Sequence, residues 1–404
     1  MKRLVVAVLL ALFLLSTSLP GTATLSERSL DSEPLASENP GYEAPGALFD
    51  RFAQSLAIGT DPFKHLVTDL NNDSHPDIAV IYENSPILDI FFGDLDYQYS
   101  YSDSTTRILS NPITDIAAGD MDRDDLTDIV LSLNSTSNNV VILYQSGNLA
   151  LPGLAFTTSL RPFGIALNDF DGDLYLDVAT LISTAPPTYN SGFEIHFYSE
   201  SYGTKVLATY LHTSPLSMQL PRLFTAGDFN NDGRTDLVVG DHGVGRVVGF
   251  INGNANGLVW TDYSYFNISG PTSLVVQQLD GAGVQELVVG ADLAQRVQIR
   301  QFDGTRFWPH TELINEPGVA SLAFMDRNGD TRLDLVRASS QYHNLTVFTA
   351  SSSLTYGYAS AISFPVSLDP SYVLVEDMSP DDAYDDIILI SRSSTGAGLL
   401  SIYY

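Results

Sequence analysis

Apolar residues along this chain come in short β-branched runs divided by polar turns, with no run repeating at helical spacing. Ile129-Val130-Leu131, Val140-Val141-Ile142-Leu143-Tyr144 and Leu237-Val238-Val239 are continuously apolar, as strands covered on both faces must be. Stretches such as Leu258-Val259-Trp260-Thr261-Asp262-Tyr263 are more polar, as outer strands are. These runs recur in a fixed order. An apolar stretch (Ile113 to Ala118, Arg222 to Ala226) leads into an acidic nonapeptide, then two β-rich runs follow, then the more polar strand.

The acidic nonapeptides begin at Asp69, Asp120, Asp169, Asp228, Gln278, Asp326 and Asp377, at intervals of 51, 49, 59, 50, 48 and 51 residues. A period near fifty with four strands per unit is the length of one propeller blade. The expected fold is therefore all-β, a seven-bladed β-propeller over residues 47–404. The seventh unit ends at Tyr404 after three strands, while Phe49 to Leu56 precedes the first unit without a unit of its own. That N-terminal segment is expected to be the outer strand of blade seven and to close the ring, removing an exposed edge.

The fourth loop reads Asp228-Phe229-Asn230-Asn231-Asp232-Gly233-Arg234-Thr235-Asp236. Oxygen side chains at positions 1, 3, 5 and 9, a Gly turn at 6 and a carbonyl at 7 (Arg234 here, His75 in the first loop) form a cage for a hard cation. Unlike an EF-hand, the loop runs straight into a strand. Acidic turns are common without metal, but carboxylates about 4 Å apart repel by roughly 4 kcal/mol per pair at an effective dielectric of 20, and repeating that cost needs a counter-ion. Structural Ca²⁺ in five or six loops is expected, Mg²⁺ being disfavoured by its rigid octahedron.

The candidate ligands are Asp69, Asn71, Asp73 and Asp77; Asp120, Asp122, Asp124 and Asp128; Asp169, Asp171, Asp173 and Asp177; Asp228, Asn230, Asp232 and Asp236; Asp326, Asn328, Asp330 and Asp334; and Asp377, Ser379, Asp381 and Asp385. Ser74, Asp125, Leu174 and β-branched Thr331 stand where Gly is preferred, and Asp386 follows the seventh loop where an apolar residue is expected. The fifth loop, with Gln278, Asp280, Ala282 and Glu286, lacks ligands at positions 1 and 5 and is expected to hold no metal.

With these loops, the units resemble the FG-GAP/VCBS repeats of integrin α-subunit propellers and of secreted microbial proteins, closer to the VCBS form because Phe-Gly fragments such as Phe92-Gly93 are sparse. The resemblance covers about residues 47–404. It implies structural Ca²⁺ in the loops, with ligands bound on loop faces or between blades, and a role in recognition or adhesion rather than one chemistry.

Composition narrows the partners. The net charge of −29 repels nucleic acid, and zero Cys excludes disulfides, thiolate metal sites and a lipidated N-terminal Cys. Of the 48 acidic residues, 22 sit at the loop positions, leaving 26 elsewhere against 19 basic ones, so the acidity belongs to the loops. Lys2 and Arg3 before the apolar run Leu4 to Leu15 read as a secretory signal over residues 1–23, an uncleaved anchor being the alternative. Residues 24–46, rich in Ser, Glu and Pro, read as a disordered linker. No span is expected in the mature chain, and a secreted or cell-surface location follows.

Catalytic motifs are missing: there is no G-x-S-x-G, H-E-x-x-H or P-loop. His65, His196 and His343 fall in or beside strands and read as structural, with Asp241-His242-Gly243 near a loop rim. Trp260 and Trp308 are expected to pack between blades; Tyr97 to Tyr101 and Tyr189 to Tyr202 are outer-strand or recognition stretches. Ser183 to Gly192, with Pro186-Pro187, is read as a long exposed loop of the fourth blade that sets specificity. Asn134, Asn267 and Asn344 begin glycosylation sequons, as Asn72 does inside the first loop. The expected function is a Ca²⁺-stabilised recognition or adhesion module, not an enzyme, for an extracellular protein or glycan. A lectin, a polysaccharide-processing enzyme and a surface-layer scaffold are the rivals.

Overall fold

The computed structural model describes residues 54–403 apart from 95–97, 146–152, 185–190, 199–206, 209–217, 219–220, 254–259, 282, 352–356 and 379–384. The signal and linker readings, Tyr97, Pro186-Pro187, Tyr189, Tyr202, Ser379 and Asp381 lie outside the described residues. The described residues form seven four-stranded antiparallel sheets, a seven-bladed β-propeller.

From channel to rim, blade one is Pro62–Thr68, Asp77–Tyr82, Ile87–Phe91 and Ser104–Ile108. Blade two is Ile113–Gly119, Asp128–Leu133, Val140–Leu143 and Ala155–Phe156. Blade three is Arg161–Asn168, Asp177–Ser183, Ser191–His196 and Leu207–Ala208. Blade four is Pro221–Gly227, Asp236–Asp241, Arg246–Asn252 and Trp260–Asn267. Blade five is Pro271–Gln277, Glu286–Ala291, Arg296–Phe302 and Phe307–Ile314. Blade six is Val319–Met325, Asp334–Ser339, Asn344–Ala350 and Tyr358–Pro365. Blade seven is Asp369–Glu376, Asp386–Arg392 and Gly398–Tyr403, with Gln54–Ile58 as its outer strand. The last pairing runs from Gln54 opposite Ile402 to Ile58 opposite Gly398, so the first and last described strands share one sheet.

The apolar second strands explain the packing. In blades one to six every residue of that strand is buried. With a period of two, Ala79 and Ile81 pack against blade two, while Ile78 and Val80 pack against blade seven. The core is accordingly divided into seven apolar clusters, one in each gap between neighbouring blades. Each fully buried Val, Leu, Ile or Phe in them contributes about 1.5–3 kcal/mol.

Every innermost strand carries a register shift near its start, between Pro62 and Lys64 in blade one and between Pro271 and Ser273 in blade five, for example. A residue in excess there turns its side chain out of the ladder. Three such residues, Thr114, Thr272 and Ser371, donate to carbonyls of the next blade, those of Pro162 (3.0 Å), Val319 (2.6 Å) and Pro62 (3.3 Å). The innermost strands enclose a channel of about 760 Å³ lined partly by Phe63, Phe163, Phe224 and Phe324.

One expectation is corrected. The segment from Ser183 to Ser191 joins the second and third strands of blade three, not blade four. The acidic loop opens each blade after its innermost strand, so the 59-residue interval from Asp169 to Asp228 belongs almost wholly to the third blade. Among the described residues, no helix is long and apolar enough to cross a membrane.

Candidate metal centres

The nonapeptides join the first and second strands of their blades, so all of them lie on one face of the ring. Loops one, two, three, four and six share one conformation. The position-1 carboxylate is its centre: Asp69 Oδ1 accepts the N–H of Asn72 at 2.6 Å and Oδ2 that of Ser74 at 2.8 Å. Asp120, Asp169, Asp228 and Asp326 accept from the corresponding residues Asp125, Leu174, Gly233 and Thr331 at 2.7–3.0 Å. Position 3 accepts from position 5 in four of these loops, and position 5 from position 7 in all five.

These bonds require left-handed backbone at positions 4 and 6. Position 6 has φ of 69° at Ser74, 65° at Asp125, 73° at Leu174, 78° at Gly233 and 66° at Thr331. A branched or β-branched side chain is costly there, on the order of 1–3 kcal/mol. The loop geometry is therefore held at Leu174 and Thr331 against local preference.

Position 9 does something the sequence did not disclose. Asp77, Asp128, Asp177 and Asp236 open the second strands completely buried. One oxygen of each accepts the position-2 N–H, from Leu70, Met121, Phe170 and Phe229 at 2.7–3.1 Å. The other accepts an N–H from beyond the third strand or at its end, from Gly93, Gln145, Tyr198 and Asn252 at 2.7–2.9 Å. This carboxylate staples three pieces of the blade, and each oxygen keeps a second lone pair for a cation. In the fifth loop, which lacks ligands at positions 1 and 5, Glu286 likewise accepts the position-2 N–H, from Leu279 at 2.8 Å, while its other oxygen accepts from the side-chain amide of Gln301 at 3.3 Å. The position-2 side chains Leu70, Met121, Phe170, Phe229 and Met378 are buried plugs beneath five of the loops, a signal present in the sequence as an apolar residue after the first Asp, whereas the sixth loop has Arg327 there.

The seventh loop carries a second correction. Asp386, not Asp385, is the buried opening residue of the strand and accepts the Met378 N–H at 2.9 Å. The loop is one residue longer, which moves Asp385 to the preceding position.

Whether these residues fit a cation is tested by their donors. Carboxylate oxygens of Asp120, Asp122 and Asp124 lie within 4.8 Å of one another, as do those of Asp169, Asp171 and Asp177. Burial, then the neighbouring carboxylates, raise Asp122 and Asp171 above the usual range. Burial pushes Asp77 and Asp236 up to about 7, Asp128 to about 6 and Asp177 to about 8, against the opposing backbone N–H groups and with the loop carboxylates adding. In the sixth loop Asp334 Oδ2 is buried with no hydrogen-bond partner. An all-oxygen set of like charges with one oxygen left over is suited to Ca²⁺.

The two buried histidines serve packing. His65 is buried edge-on to Tyr372 at 5.4 Å, and His196 lies 4.2 Å from Phe156 with Nε2 3.5 Å from Glu194. On the face opposite the loops, His242 approaches Asp292 of the next blade at 3.6 Å and His343 pairs with Asp369 of blade seven. Trp260 packs between blades three and four, 5.1 Å from Phe193. Trp308 does not share that fate: it is 43% exposed, with the Arg306 guanidinium 3.4 Å from its ring. Tyr99 and Tyr198 are buried, and Tyr101 is exposed.

No protein-family model matches the sequence, and no curated protein matches it. Solved structures do resemble it. Two crystal structures of BBS1N in complex with ARL6DN, soaked with mercury and with lead, superpose with TM-scores of 0.59 and 0.58 at 11% identity. Each alignment covers 88% of this chain, and 96% or 97% of the other. At that identity the likeness establishes the propeller fold.

Proposed function

We propose that the chain is a calcium-stabilised propeller of the FG-GAP/VCBS type, secreted or displayed at the cell surface, that acts by recognition or adhesion rather than catalysis and takes a protein or glycan partner. The observation that carries the calcium reading is the common fold of five loops, each wrapped around its first carboxylate with two residues forced to positive φ. Ca²⁺ would be held by positions 1, 3 and 5 with the strand-opening Asp, and would neutralise the loops. Lys2, Arg3 and the apolar run from Leu4 to Leu15 support export.

Recognition of a protein is supported by the propeller of BBS1N, which was crystallised with ARL6DN. It is supported also by the face opposite the loops, where Ile108, Leu293 and Tyr342 are exposed at 76%, 65% and 55%. With the loops committed to metal, that face is free for a partner. The test is adhesion of cells to surfaces coated with the protein in calcium. Paired Leu293→Asp and Tyr342→Asp changes are expected to abolish adhesion, while Arg306→Asp, on the loop face but outside the nonapeptides, leaves it intact. Adhesion lost only with Arg306→Asp, or none by the parent protein, would contradict the assignment.

A further inference from the structure

In blades two, three, four, five and seven the residue just before the strand-opening acid reaches back to the loop of the preceding blade or the residue leading into it. Thr127 of blade two lies 3.5 Å from Thr68, which leads into loop one, and Thr235 of blade four donates to Asn168, which leads into loop three, at 2.8 Å. Leu176 of blade three occupies the space beside Gly119, 2.6 Å from where a Cβ would stand. At two boundaries the contact reaches the first ligand itself. Gln285 Oε1 of blade five accepts the backbone N–H of Asp228 at 2.8 Å, and the Asp326 N–H bonds to Asp385 of blade seven.

We infer that Gln285 is a positioning residue for the metal centre of loop four, supplied across the blade boundary. The inference rests on the calcium reading above. It explains why blade five, whose loop lacks the ligand set, carries a long acceptor at this place. Gly227 also fits this role, since a Cβ there would stand 2.6 Å from Gln285 Oε1 and displace it. An accepted N–H fixes the backbone from which the Asp228 carboxylate projects, and partners of this kind typically alter metal affinity 10–100-fold.

The test is calcium titration of the purified chain by calorimetry, with thermal unfolding in EDTA and in calcium. Gln285→Leu removes the acceptor, and Gln285→Glu keeps one. The expected result is that Gln285→Leu weakens one site about tenfold or more, leaves unfolding in EDTA unchanged, and is rescued by Gln285→Glu. An unchanged isotherm, or an equal loss of stability with and without calcium, would overturn the inference. A wild-type chain that binds no calcium would instead remove the reading beneath it.

Discussion

At the scale of single residues, position in the chain disclosed chemistry better than it disclosed roles. The loop acids were legible because Asp and Asn recur at fixed spacing, whereas the double duty of Asp77 or Asp236 was not, since it depends on an N–H sixteen residues away. His65 shows a different cost. Burial pulls its imidazole down to about 3, the Ile388 backbone opposing and the Lys64 charge adding to the fall. A group depressed from about 6.5 contributes stability in full above that pH and loses it as pH falls toward the folded value. At pH 5 the loss should be about 2 kcal/mol relative to pH 7. Urea unfolding of wild type and His65→Phe at both values checks this: the variant should be less acid-sensitive by that amount, and parallel behaviour would refute it.

At the scale of elements, the apolar runs located the strands because second strands are covered on both faces and are mostly apolar, polar members such as Thr180 and Arg337 being buried with hydrogen bonds. Register shifts in the innermost strands were not legible, because a bulge needs only one extra residue and no special composition. The same limit hid the correct register of the seventh loop, where one inserted residue exchanges Asp385 for Asp386. Plug residues were visible but uninterpreted. Phe229 is wholly buried under loop four and meets Phe307 of blade five edge to face at 5.2 Å. Phe229→Ala should cost about 3–5 kcal/mol in chemical denaturation with calcium present; a change below 1 kcal/mol would mean the loop is not anchored by its plug.

At the scale of the whole molecule, seven units were countable because each repeats its acidic loop, and closure was inferred from a strand left over at one end and missing at the other. The observed pairing of Gln54–Ile58 with Gly398–Tyr403 matches that arithmetic. The partner was not legible, since a propeller fold carries many functions and the exposed residues opposite the loops follow no repeated motif. The account stands on the metal. The direct measurement is thermal unfolding of the protein in excess EDTA and in millimolar calcium, with bound metal counted by elemental analysis. Five or six Ca²⁺ per chain and a large upward shift in Tm are predicted; no bound metal and coincident unfolding curves would contradict it.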